Sequence, residues 1–442
     1  MNYRYRNDDE MKDSGVEWIG KIPKEWNVTK LKNLATIVTG NTPSKNDEKN
    51  YENGIVQWIK PDNITDDFKI TESKDRLSTY GLKQARLIPK NSALVCCIGT
   101  VGKVGISEVE CTTNQQINSV VFDNKNWVNG FGIYALISSR NEHERNSSKV
   151  VVSILNKSQQ GNINMPVPKS EEQQKISKFL NEKTAQFDSI ISKKEALIEK
   201  LEEAKKSLIS EVVTGKVKVV KTNDGYELVE RKKEEMKESG VEWLGDIPKE
   251  WLVKRIKYLL MECRGKSEEG LEEPLSMSQK YGLIKTSDMD NIPNQALSLV
   301  GNKIVCKNDL VFNKLKPHLG VFSVSKYNGI VSPDYAVYRA KEKVNIKYLE
   351  YLFKTPLYIR EFKKYATGIG AGLTRLYTDQ LFNIQAISPS YSEQENIVIM
   401  INRKLEETNM AIEKMKNQIE KLKEAKQSLI SEAVTGKIEI LD

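Results

Sequence analysis

The sequence predicts an α+β chain in which two globular domains are separated by two long helices, packed as an antiparallel coiled coil, with an internal pseudo-two-fold repeat. Three observations predict it. Met11–Trp26 (MKDSGVEWIGKIPKEW) returns as Met236–Trp251 (MKESGVEWLGDIPKEW), identical at 13 of 16 positions and 225 residues further on. Ile198–Val217 (IEKLEEAKKSLISEVVTGKV) returns as Ile419–Ile438 (IEKLKEAKQSLISEAVTGKI), identical at 16 of 20 positions at an offset of 221. The stretches between, Asn27–Ser170 and Leu252–Tyr391, show no comparable identity to each other. Near-identical frames therefore surround dissimilar inserts, and two copies are too few for a solenoid.

Length supports more than one core, because 442 residues exceed what a single hydrophobic interior usually serves. Each repeat ends in a helix of about 42 residues, roughly 60 Å long. Ser170 with Gln173, and Ser392 with Glu395, suit capping boxes at the two starts. Ile176, Leu180, Phe187, Ile190, Leu197, Leu201, Ala204 and Leu208 follow a 3/4 spacing in the first helix. Ile412, Met415, Ile419, Leu422 and Leu429 do so in the second, and the remaining positions are mostly Glu, Lys and Gln, as on a coiled-coil exterior. Thr214-Gly215-Lys216 and Thr435-Gly436-Lys437 stop both helices. One apolar seam per copy is hidden when the copies pack seam to seam, which places a different insert at each end.

The inserts read as mixed α and β. In the first, Thr39–Ser44 is a turn cluster, Ile55–Lys60 a strand, and Ser92–Ile98 a buried strand running into the glycine-punctuated Gly99–Gly105. Cys111–Asn118 (CTTNQQIN) is dense in amides and hydroxyls. Asn and Gln can read an adenine edge through two hydrogen bonds, although such a string equally satisfies loop backbone groups. In the second insert, Ile346–Tyr365 is an amphipathic helix whose aromatics suit a core. Lys314, Lys316 and His318 flank an apolar strand and can point at phosphates, and the glycine loop Thr367–Arg375 ends in a cation.

Charge is distributed in step with the repeat. Asn27–Ser170 holds 18 Lys/Arg against 13 Asp/Glu, and Leu252–Tyr391 holds 21 against 13. Glu171–Val217 balances nine against nine, and Ser392–Ile438 eight against eight. Two basic blocks suit two polyanion-facing surfaces. Catalytic patterns fail. Gly265-Lys266-Ser267 lacks the upstream glycine of a phosphate loop, whose place Leu260 takes. Asp62 and Asp67 lie too close, in a turn-rich stretch, to suggest a nuclease carboxylate set. Two histidines without a Cys/His cluster argue against zinc, and no nucleophile elbow or dinucleotide fingerprint occurs. The charged start carries no signal-peptide core, no apolar run reaches a membrane span, and five cysteines without a C-x-x-C pair suit buried thiols in a reducing cytoplasm.

The duplicated G-V-E-W-[IL]-G-x-[IL]-P-K-E-W segment and the helix ending L-I-S-E-x-V-T-G-K resemble the conserved regions of type I restriction–modification specificity subunits. So do the helix starts Lys169–Gln173 (KSEEQ) and Ser390–Gln394 (SYSEQ). Thr39–Ser44, Trp58–Ile64 and Gly99–Asn118, and in the second insert Asp309–Gly320 with Gly329–Arg339, are similar to target recognition domains. The resemblance covers residues 11–442 and leaves the first ten outside it. It implies a subunit without an active site of its own. Two methyltransferase subunits using S-adenosylmethionine, and two restriction subunits using ATP and magnesium, would join it on double-stranded DNA with a bipartite, asymmetric target. It implies target recognition domains at 11–170 and 236–391, a central helix at 171–217, a linker at 218–235 and a distal helix at 392–438.

The residues expected on DNA in the first domain are Thr42, Ser44, Lys45, Lys60, Thr100, Lys103, Asn114, Gln115 and Gln116. In the second they are Lys280, Tyr281, Lys314, Lys316, His318 and Arg375. Those expected against partner subunits are Trp18, Trp26, Trp243, Trp251, Leu201 and Leu422. No catalytic residue, metal or membrane contact is expected.

Overall fold

Two runs of 44 residues contain neither Gly nor Pro, and each forms one unbroken helix, Ser170–Val213 and Tyr391–Val434, about 66 Å long. The computed structural model describes residues 2–149, 151–223, 225–278, 281–289, 298–315, 319–370 and 373–441. The chain divides into a first unit, Met1–Glu195 with Lys416–Asp442, and a second, Ala196–Met415. Each long helix therefore contributes part of its length to each unit, whereas the sequence reading set residues 171–217 and 392–438 apart as segments of their own.

Both helices end on a glycine in the left-handed region, Gly215 at φ 81° and Gly436 at φ 72°. A Cβ there would also come within 2.4 Å of Pro248 or Pro23, so the position demands glycine twice over. The starts differ from expectation. The helices begin at Ser170 and Tyr391, and in the second it is Ser390, not Ser392, whose hydroxyl accepts from the Glu393 amide at 3.3 Å. Gln173 does not turn back to cap. Its buried side chain accepts from the Val128 amide (2.7 Å) and donates to the Pro168 and Asn126 carbonyls. Gln394 repeats this with Asn345 and Pro389.

Within the first unit, Asp188 meets Lys426 at 2.7 Å and Lys194 meets Gln418 at 2.7 Å, so the helix segments run antiparallel. Within the second, Lys205 meets Asn409. Ile176 and Leu180 are buried as the spacing predicts, but Ile190 and Leu197 are 44% and 45% exposed. Phe179, Thr184 and Ile191 take the inner positions instead. The apolar stripe has a neighbour one residue over, and spacing alone does not choose between Ile190 and Ile191.

The inserts share a sheet topology despite their dissimilar sequences. In the first unit the antiparallel order is Ala35–Thr39, Ile117–Phe122, Ala93–Cys96, Val104–Ile106; in the second it is Leu260–Cys263, Tyr335–Ala340, Leu310–Asn313, Phe322–Val324. Taken in chain order, both run 1-4-2-3. Each sheet packs on helices. Phe131 and Leu136 join Trp26, Phe179 and Val434 in one core, and Tyr348, Leu352 and Phe362 join Trp251 and Val213 in the other. The expected helix Ile346–Tyr365 is broken at Thr355-Pro356 into Ile346–Phe353 and Pro356–Tyr365, as the restricted residue before proline dictates.

Residues 3–10, outside the family resemblance, belong to the repeat in the fold. Tyr3–Tyr5 pairs antiparallel with Ile438–Ile440, and Val217–Thr222 pairs with Gly225–Glu230 in the second unit. Arg6 and Arg231, again 225 residues apart, then occupy equivalent places. Among the described residues no helix is long and apolar enough to cross a membrane. All five cysteines are free; Cys96, Cys97 and Cys111 are buried, but Cys306 is exposed, against the expectation of buried thiols.

Candidate nucleic-acid interface

Each repeat builds its frame from the same three side chains. Glu172 accepts from the Trp26 indole N–H at 2.8 Å and from Arg6 at 2.7 Å; Glu393 accepts from Trp251 at 2.8 Å and from Arg231 at 2.8 Å. A carboxylate in the first turn of a helix also sits favourably toward the positive end of the helix dipole. Trp26 and Trp251 are 1% exposed, so of the expected partner-facing residues these two are core. Trp18 and Trp243 are half-buried, the first donating to the Asn164 carbonyl and the second edge-on to Tyr358. Leu201 and Leu422 are half-buried on the long helices.

On this frame the first unit gathers most of its expected DNA-facing residues around Trp58. The strand Val56–Ile59 runs parallel to Thr112–Thr113, which brings residues 57–60 beside 111–116. Residues 39–45 cross over them, with the Asn41 amide on the Thr113 carbonyl. Gly40 permits the crossing, since a Cβ there would meet the Asn114 carbonyl at 2.2 Å. Lys45 and Lys60 lie 5.8 and 5.4 Å from the Trp58 ring, and Lys60 pairs with Asp75. Thr42 bonds Gln115, and Thr42, Ser44, Lys45 and Gln115 are exposed. Asn114 is buried and already spent on its neighbour, donating to the Gln116 side chain (2.8 Å) and accepting from the Gln116 amide. Asn41 was missed. Its side-chain oxygen is buried without a partner beside Thr42, and its place in a turn cluster was the only sequence signal.

Thr100 is exposed on the glycine connection, but Lys103 turns elsewhere. It pairs with Asp66 at 3.3 Å in a cleft of about 990 Å³ shared by Phe68, Arg140, Asp188 and Lys426. Within the helix Arg140–Arg145, His143 is buried with its ring on the Ser139 carbonyl and Gln160. Burial pushes its pKa down to about 4, the Ser139 bond opposing. Burial likewise raises the Cys97 and Cys111 thiols to about 12.

In the second unit Lys280, Lys316 and His318 lie outside the described residues, and Tyr281 is exposed. Lys314 and Arg375 are brought together. Leu315 and Arg375 form a β-bridge, and the Leu376 amide donates to the Lys314 carbonyl at 3.0 Å. Arg375 pairs with Asp334 at 3.0 Å. Lys303, not anticipated, joins them and donates to the Tyr335 carbonyl at 2.6 Å. Burial lowers the Lys303 pKa first, with Lys266 and Arg375 adding to it. Lys314 is lowered by burial, then by Lys303 and Arg375. Arg375 depresses both lysines, as a neighbouring cation does. Among the described residues no group of three His, Cys, Asp or Glu is arranged to hold a metal ion.

Residues 23–203 match the family model described as the type I restriction modification DNA specificity domain. Over 206 residues the chain is 29% identical to the type I restriction enzyme MjaIX specificity subunit of Methanocaldococcus jannaschii, a match covering 45% of each chain. Over 106 residues it is 36% identical to the HindI specificity subunit of Haemophilus influenzae, covering 24% of this chain and 23% of that one. These matches thus span less than half of either relative. Among solved structures, a chain described under "Structural basis underlying complex assembly and conformational transition of the type I R-M system" superposes with a TM-score of 0.66. It covers 94% of this chain and 99% of its own at 13% identity, a likeness of fold.

Proposed function

We propose that this chain, which carries a type I restriction modification DNA specificity domain at residues 23–203, is the DNA-reading specificity subunit of a type I restriction–modification enzyme and has no active site of its own. One observation carries the reading. The same Arg–Glu–Trp frame is built twice, and each copy holds a sheet of the same topology with different chemistry on it. Identical frames suit two copies of one partner, and different faces suit two different half-sites. The first face offers amide and hydroxyl groups beside Trp58, fit for base edges. The second concentrates cations, fit for phosphates.

The recognition domains are assigned to residues 11–170 and 236–391, each reading half of an asymmetric site in double-stranded DNA, with the paired helices setting the unread gap. Two methyltransferase subunits using S-adenosylmethionine dock on the frames and helices, and two restriction subunits using ATP and magnesium complete the cytoplasmic assembly. The test is an exchange. Asn27–Ser170 is replaced by a second copy of Leu252–Tyr391, and methylated adenines are mapped in cells carrying the partner genes. An inverted repeat of the second half-site with the original gap is expected. A hybrid that assembles yet methylates the original asymmetric site would overturn the modular account.

A further inference from the structure

We propose that Lys303, Lys314 and Arg375 form a clamp for a backbone phosphate of double-stranded DNA, with Asp334 as the counter-ion that the phosphate displaces. The clamp rests on the specificity-subunit reading and names how the second unit grips its half-site.

Three separated segments converge to build it. Lys303 opens the strand Lys303–Val305, Lys314 follows the strand Leu310–Asn313, and Arg375 ends the strand Leu373–Arg375. Arg375 reaches Asp334 while Lys303 reaches the carbonyl of the next residue, Tyr335, so both cations meet at one turn. The guanidinium lies 5.7 Å from the Tyr377 ring, and its Nε is buried without a hydrogen-bond partner. The Arg375 Nη2 that now meets Asp334 is the donor a phosphate oxygen would take over.

Lys303 and Lys314 both lie in the field of Arg375, and Lys314 also in that of Lys303, with Glu262 and Asp334 opposing. Glu262 is already shared between Arg264 and the Thr378 hydroxyl, at 3.0 and 3.1 Å. Asp334 is 64% exposed, so water competes for it and exchange for another anion costs little. At the same places in its fold the first unit keeps a cation, Arg86, for Lys303 but none for Arg375. There Ile154 makes the corresponding bridge, to Ile98, and it is 45% exposed. The clamp therefore belongs to the insert and not to the repeated frame, as a half-site-specific grip requires. Phosphate contacts position a reader without carrying sequence information, so the clamp sets register while other groups read bases.

The experiment measures binding of the full chain to a labelled random-sequence duplex across a salt series, for the wild type, K303A/K314A and D334N. The double variant should bind more weakly and lose about two units of salt slope, roughly one per lysine. D334N should bind more tightly than the wild type, an effect opposite to any loss of folding. Inorganic phosphate at constant ionic strength should not displace the duplex. Displacement present in the wild type and lost in K303A/K314A would make this a free-anion site and overturn the DNA assignment. Unchanged affinity and slope in both variants, with wild-type binding intact, would overturn the clamp and leave DNA reading standing. A wild-type chain that binds no duplex would overturn both.

Discussion

Glu172 and Glu393 each hold a buried indole and an arginine, and they are the residues on which the frame turns. Removing either leaves charge-assisted donors unsatisfied, and Glu172→Ala should cost about 2 kcal/mol in urea unfolding. Glu393→Ala should cost more, because the Arg231 side chain is 2% exposed against 13% for Arg6. Equal or unchanged midpoints would refute this ordering. The sequence displayed the repeated tryptophans plainly, and their conspicuousness suggested a partner. Nothing in a lone sequence separates an indole conserved between copies for packing from one presented to a neighbour. Arg6 was illegible for another reason. Strand pairing uses backbone groups that any residue supplies, so residues 3–10 diverged from 228–235 until little beyond Arg6/Arg231 and Glu10/Glu235 marked them as a copy.

His143 carries a further prediction at this scale. Its folded pKa of about 4 lies below the ordinary 6.5, so the unfolded chain binds the proton first as pH falls. Stability from this group is complete above pH 6.5 and declines toward pH 4, by about 3 kcal/mol in all. His143→Gln should flatten that part of the melting-temperature profile. A slope identical to wild type would mean the imidazole is not the group responsible.

Among the elements, the long helices were the most legible, since an uninterrupted 3/4 pattern without glycine or proline has few other outcomes. Which stripe faced inward was legible in the second helix and failed only along part of the first, at Ile190 and Leu197. Ile412 and Ile419 are buried at 4% and 5%, and Ile419→Asp should destabilise the chain by about 3 kcal/mol in the same unfolding assay. Leu197→Asp, at a 45% exposed position, should cost less than 1 kcal/mol. Similar losses from the two would contradict the observed facing. Removing one turn, about four residues, from one helix should change the gap between methylated adenines and leave both half-sites as they were. The recognition faces were legible only as composition. Asn114, Gln115 and Gln116 look alike in a row, yet one is exposed, one half-buried and one consumed by its neighbour.

For the whole molecule, the repeat in the sequence anticipated two units but not their membership. The first unit takes the last 27 residues of the chain, Lys416–Asp442, and closes its core with Ile430, Ala433, Val434 and Ile438. Deleting residues 2–10 should remove amide protection from Ile438–Ile440 in hydrogen exchange while the second unit keeps its own. Uniform loss across both units would show that they do not close separately.

That membership also fixes an order of manufacture. The second unit is one continuous stretch, Ala196–Met415, complete before Lys416 is added. The first precedes it in the chain, yet it lacks the helix segment and strand that seal it until residues 416–440 have followed. Of the two units, the one begun earlier is therefore closed later, and it waits with an open apolar flank while the other is made. A stop codon shortly before Lys416 would spare the later-coded reader and ruin the earlier one.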